Sequence, residues 1–149
     1  MNEDAFWGLI EAHRPAGEDP DAERLTEALT ERLRRGPVDV VTGFAEQLSW
    51  LLYRLDGPAW GEQGEQSGDS FLYARAAVVA AGRAQYEHVL ANPAAFAPYV
   101  DDLVWAEGLL YVPDRAYREL TGEEWSRETR YSYESGSNTR AWEGFRGGA

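Results

Sequence analysis

Gly68-Asp69-Ser70-Phe71-Leu72-Tyr73-Ala74-Arg75, continued by Ala76-Ala77-Val78-Val79-Ala80-Ala81 and closed by Gly82-Arg83, is the stretch from which the reading of this chain starts. It predicts an apolar helix from Ser70 to about Ala81, capped by Asp69 and interrupted at Gly82. An aspartate, two aromatics and two arginines surround that helix. A protein core tolerates such polar groups only when they are paired or used. Asp69 and Tyr73 stand four positions apart and share a face, and Arg75, Val79 and Arg83 keep the same step.

Working outward, the same periodicity recurs on both sides. Phe6, Leu9, Ile10 and His13 fall on one face of a helix from Glu3 to His13, with Asn2 as N-cap and Pro15-Ala16-Gly17 as its end. Leu25, Leu29 and Leu33 repeat every four residues in a second helix, which Asp19 caps with Pro20 in its first turn and Gly36 stops. Pro37 opens a third, reaching Leu55, whose stripe of Val40, Val41, Phe44, Leu48, Leu51, Leu52 and Leu55 makes it central. Asp56-Gly57-Pro58 breaks it, and Ala59 to Gly68 reads as a loop with one turn around Trp60.

Beyond Gly82 a helix runs from Arg83 to Ala91 and closes at Asn92-Pro93, and Ala94 to Tyr99 adds a turn. Asp101 is expected to cap a helix carrying Leu103, Val104, Leu109 and Leu110, which Pro113 kinks or restarts. Tyr117 and Leu120 carry the apolar face on to Thr121-Gly122. From Glu123 the helical period is lost while Trp125, Tyr131, Tyr133, Trp142 and Phe145 keep the chain aromatic. The expectation is an all-α, compact single domain of about six or seven helices (1–122), with an irregular aromatic arm (123–149) packed on it.

Composition limits the chemistry. The chain has 149 residues, 44% hydrophobic and 13% aromatic, and suits one globular domain. It has no Cys, which removes disulfides, thiolate metal sites and thiol nucleophiles together and fits a cytoplasmic location. The acidic start, Met1-Asn2-Glu3-Asp4, lacks the basic and apolar regions of a secretory signal. The run Ala76–Ala81 is far short of the roughly 20 residues of a membrane span. Net charge is −12, so direct contact with a nucleic-acid backbone is repulsive; such a surface gives solubility or meets a basic partner.

Several pieces together resemble a known family. They are Asp4-Ala5-Phe6-Trp7-Gly8-Leu9-Ile10, Gly68 to Arg75, Gly82-Arg83-Ala84-Gln85-Tyr86-Glu87, Asn92-Pro93, Leu109-Leu110-Tyr111-Val112 and Tyr117-Arg118-Glu119-Leu120-Thr121-Gly122. Their order and spacing are similar to DUF4240, a bacterial and mainly actinobacterial family of domains of unknown function. The resemblance covers roughly Asn2 to Trp125. It implies an all-helical domain and no particular activity. The chain departs from the family's pattern at Gly61 to Ser67, which is more polar, and at Ser70, which takes an acidic place.

No catalytic or metal motif emerges. The two histidines, His13 and His88, read as boundary residues of their helices, and no Gly-x-Ser-x-Gly elbow or His-Glu-x-x-His pair is present. Glu87 and His88 are neighbours pointing about 100° apart on a helix. Asp101-Asp102 reads as a cap. The glycines between Gly57 and Gly68 lack the lysine of a phosphate loop. Twenty-six acidic residues make close carboxylate pairs inevitable, so such pairs carry no signal for hydrolysis. No cofactor or metal is expected.

The remaining constellation is Asp69, Tyr73, Arg75 and Arg83. In one reading Asp69 caps its helix and the arginines tie helices together through carboxylates. In the other these residues line an anion or small-molecule pocket walled by Trp50, Tyr53 and Trp60. Trp7, Trp50 and Trp105 read as core. Trp125 and Trp142 either clamp the arm or present a surface to a partner. The leading functional expectation is a non-enzymatic interaction or regulatory module that meets a basic partner protein, with toxin neutralisation (an immunity role) as one version. The alternative is a small-molecule or anion-binding domain or enzyme around Asp69, Arg75 and Arg83.

Overall fold

The computed structural model describes residues 1–63, 68–101 and 106–143. They form nine α-helical segments and three short 3₁₀ turns, with no strand among the described residues. The helices are α1 (Glu3–His13), α2 (Glu23–Leu33), α3 (Val38–Arg54), α4 (Pro58–Gly61), α5 (Gly68–Ala80), α6 (Arg83–Ala91), α7 (Ala97–Asp101), α8 (Val112–Thr121) and α9 (Thr139–Trp142). Trp105 and Phe145, expected on the core and in the arm, lie outside the described residues, as do Leu103 and Val104.

Apolar stripes of unequal width set the layering. The broad stripe of α3 buries Val41, Phe44, Leu48, Leu51 and Leu52, and α1, α5 and α8 pack around that helix. The narrower leucine line of α2, Leu25, Leu29 and Leu33, faces α1 and α8. Helix α5 is buried almost all round, from Phe71 and Leu72 to Val78 and Val79. A helix without a polar face has to lie inside, and α5 touches α3, α6 and α7.

The helix ends follow local chemistry. Asn2 Oδ1 accepts the Ala5 amide at 2.8 Å and starts α1. Asp19 caps α2 from a distance. A 3₁₀ turn, Pro20–Ala22, intervenes, and the Asp19 carboxylate then accepts the amides of Arg24 and Leu25 at 2.8 and 3.0 Å. Pro20 therefore sits in this turn and not in α2 itself. Between α5 and α6 the backbone of Gly82 has φ +103°, a value that favours glycine. A Cβ there would also stand 2.7 Å from Glu11 Oε1.

Three more expectations are corrected: the cap at Asp69, the cap at Asp101 and an arm without any helical turn. Pro113 does restart a helix, as expected. Asp69 lies inside the first turn of α5, which begins at Gly68, and is not the residue preceding the helix. Asp101 ends α7, and Leu109 and Leu110 belong to a 3₁₀ turn, Glu107–Tyr111. Pro113 then lies in the first turn of α8, where its missing N–H leaves no bond unmade. The arm lacks a helical period up to Asn138, whose side chain accepts the Ala141 amide and opens the single turn α9.

Candidate functional site

The C-terminal end of α3 gathers the buried polar chemistry of the molecule. A helix leaves its last carbonyls without partners. Here Leu52 O and Tyr53 O accept the amides of Leu55 and Asp56, and other elements add further donors. Tyr86 of α6 donates its hydroxyl to Leu51 O at 2.6 Å, Arg75 of α5 donates Nη1 to Leu52 O at 2.8 Å, and Asn138 of the arm donates Nδ2 to Tyr53 O at 3.1 Å.

Arg75 is fully buried. Its Nη2 donates to Tyr133 O and to Ser135 Oγ, both at 3.0 Å, and the guanidinium lies 4.6 Å from the Phe71 ring centroid. Ser135 passes the chain of bonds on to Gly68 O at 2.6 Å. Nε of Arg75 has no partner among the described residues. Burial pulls the guanidinium down to about 10, while the Asp56 and Glu134 carboxylates oppose that loss of charge.

Asp56, also 0% exposed, follows the end of α3, where the helix dipole disfavours an acid. Three N–H groups of the arm offset this: Gly136 N at 3.0 Å, Asn138 N at 2.9 Å and Trp142 Nε1 at 2.8 Å. The two buried charges therefore both bond to one segment, Tyr133 to Trp142. A Cβ on Gly61 would stand 2.9 Å from the Trp142 ring, so glycine is what lets that indole approach α4.

The other residues singled out in the sequence separate into distinct neighbourhoods. Trp50 and Tyr53 meet the ring of Tyr131 at 4.7 and 4.8 Å. Trp60 donates Nε1 to Val89 O of α6 at 3.0 Å. Arg83 lies at the surface, bonded to Asp4 of α1 at 2.7 Å and to Glu87 at 3.1 Å. Asp69 is exposed one turn ahead of Tyr73, whose phenol is pushed up by burial and by Glu107 beside it. Trp125 packs edge-on against Tyr117 of α8, and Trp142 against Phe71 of α5. Arg75 and Arg83 thus bond to different elements.

The histidines are placed by their helices. His13 Nδ1 lies 2.8 Å from Leu9 O, and His88 is exposed beside Asn92. Among the described residues no group of three or more His, Cys, Asp or Glu side chains could hold a metal ion. No described helix is long and apolar enough to cross a membrane.

Surface depressions among the described residues include two that adjoin α8. One, of about 470 Å³, lies between the start of α2 and the chain before α8, and its charged lining is Asp21, Glu23, Glu27, Glu107 and Arg115. The hydroxyl of Thr26, a residue 6% exposed, adjoins it without a partner among the described residues. The other, of about 510 Å³, opens between α3, α8 and the arm.

Sequence reasoning missed Asp56, which it took only as a helix breaker. An acid at the negative end of a long apolar helix was the available signal, because such a position needs compensation. Ser135 and Asn138 offered no comparable signal in a tail already rich in polar residues.

No curated protein and no solved structure matches the chain. A family model described as "Protein of unknown function (DUF4240)" matches residues 1–119, which include Asp56, Arg75 and Arg83 and stop short of the arm. The chain belongs to the DUF4240 family.

Proposed function

We propose that this domain is a non-enzymatic module of the cytoplasm that holds a basic partner protein against the acidic face formed by α2 and residues 107–119. The carrying observation is the charge of the groove there: Asp21, Glu23, Glu27 and Glu107 against the single cation Arg115. A second depression beside it, sharing Glu27 and Arg115, adds Glu31 and Glu119 together with Arg34. Glu31 is taken up by Arg34 and Arg35, whereas Asp21, Glu23 and Glu27 form no ion pair among the described residues. An uncompensated acidic strip on rigid helices steers and orients a cationic surface. Neutralising a basic toxin is one form that such a role takes.

The engagement of Arg75 weighs against the anion-pocket reading, because its donors are turned to Leu52, Tyr133 and Ser135. The test is isolation of the tagged protein from its own cells with mapped cross-links, beside the charge-reversed variant Glu23→Lys/Glu27→Lys. The expected partner is basic, dissociates as salt is raised and is lost by the variant. Retention of the same partner by the variant, or cross-links confined to another face, would contradict the proposal.

A further inference from the structure

The cleft between α3, α8 and the arm has the makings of a small-molecule site, and it does not depend on the acidic face of α2. Its volume, about 510 Å³, lies within the roughly 300–1,000 Å³ common to ligand pockets. The floor is apolar: Ala45 and Leu48 come from α3, Leu110 from the 3₁₀ turn before α8, and Pro113 from the first turn of α8. Trp125 and Tyr133 of the arm supply aromatic walls. Ser49, 2% exposed, adds a hydroxyl-bearing side chain to the lining.

The charges around this floor are unequal. Asp114, Glu128 and Glu134 line the cleft against one cation, Arg127. None of the four is in an ion pair among the described residues. Their field reaches the interior: the Tyr133 phenol is pushed up by burial first, then by Glu134 and Asp114. Aromatic faces beside carboxylates favour a positive group, because ring quadrupole and anions attract the same charge. An anion would instead meet three carboxylates.

We propose that this cleft binds an organic cation, an ammonium group carried on an apolar or aromatic body. The body fills the floor formed by Leu48, Leu110 and Pro113, and the ammonium lies among Asp114, Glu134 and the rings of Trp125 and Tyr133.

Three compounds of nearly equal shape test this by NMR titration of the full-length ¹⁵N-labelled protein: phenethylammonium, phenethyl alcohol and 3-phenylpropionate. Phenethylammonium is expected to shift the Trp125 indole signal and to bind about tenfold more tightly than the alcohol, with the carboxylate weakest. In Asp114→Asn/Glu134→Gln its affinity falls about tenfold while the ¹⁵N spectrum stays that of a folded protein. A somewhat lower melting temperature is expected, because Glu134 helps to balance Arg75 and Asp114 lies in the first turn of α8. If that variant does not fold, salt decides on the native protein: raising NaCl from about 20 to about 500 mM must weaken phenethylammonium binding. Equal binding of the alcohol, shifts confined to another region, salt-independent affinity, or no binding up to about 10 mM overturns the proposal.

Discussion

Arg75 and Arg83 stand on consecutive helices, and they teach how burial changes what one residue type does. Arg75 lies wholly inside, spends three hydrogen bonds on α3 and the arm, and is stacked on Phe71. Arg83 lies at the surface and pairs with Asp4, whose own side chain is 80% exposed. Water can replace every contact of Arg83. It can replace none of those of Arg75 while the arm is in place. The same contrast separates Asp56 from the acids of the α2 groove. Asp56 and Arg75 serve architecture, whereas the acids of the α2 groove make no buried bond of that kind among the described residues.

The sharpest way to break this contrast is Asp56→Ala. It takes the Asp56 acceptor from Gly136 N, Asn138 N and the Trp142 indole, and from Arg75 the stronger of its two balancing carboxylates. The expected loss in urea-unfolding free energy is about 3–5 kcal/mol. Arg75→Lys keeps the charge but lacks the planar fork that reaches Leu52, Tyr133 and Ser135 together, so about 2 kcal/mol should be lost in the same assay. A loss below about 0.5 kcal/mol for either variant would mean that the arm is held by its rings alone.

Tyr86→Phe removes the hydroxyl that satisfies Leu51 O and should cost about 1 kcal/mol at neutral pH. Alkaline titration sharpens the point. Burial raises the Tyr86 phenol above its ordinary value of 10.0, so the unfolded chain releases this proton first. The stability that the neutral phenol contributes is complete below pH 10 and is lost as the pH climbs beyond it. Tyr111, held up to about 12 by Glu107, acts in the same direction, as do Tyr73, Tyr99 and Tyr133. Arg75 acts the opposite way, since its folded form releases a proton at about 10, before the unfolded chain does. Five phenols oppose one guanidinium, so urea midpoints should fall above pH 10, and less steeply in Tyr86→Phe. The smallest effect belongs to Arg83→Gln, which should leave the thermal midpoint nearly unchanged.

Legibility in the sequence followed the range of the interaction. Helix α6 was readable to its ends, Arg83 and Ala91, because glycine and Asn-Pro punctuate it. The leucines of α2 and the stripe of α3 gave those helices away for the same local reason. Leu109 and Leu110 did not reveal their 3₁₀ turn, since an adjacent apolar pair fits either geometry. The partners of Arg75 were beyond reach. Two are backbone carbonyls, which have no residue signature, and the third is a serine 60 positions away. The acidic groove was visible only as net charge until folding brought Glu107 beside Glu23 and Glu27.

Amide hydrogen exchange at Gly136 and Asn138 tests the fastening of the arm most directly, because these two N–H groups point at the Asp56 carboxylate. Both should be protected in the native protein and should exchange freely in Asp56→Ala while amides of α3 stay protected. Exchange at the unprotected rate in the native protein would contradict the assignment of Asp56 and Arg75 to architecture.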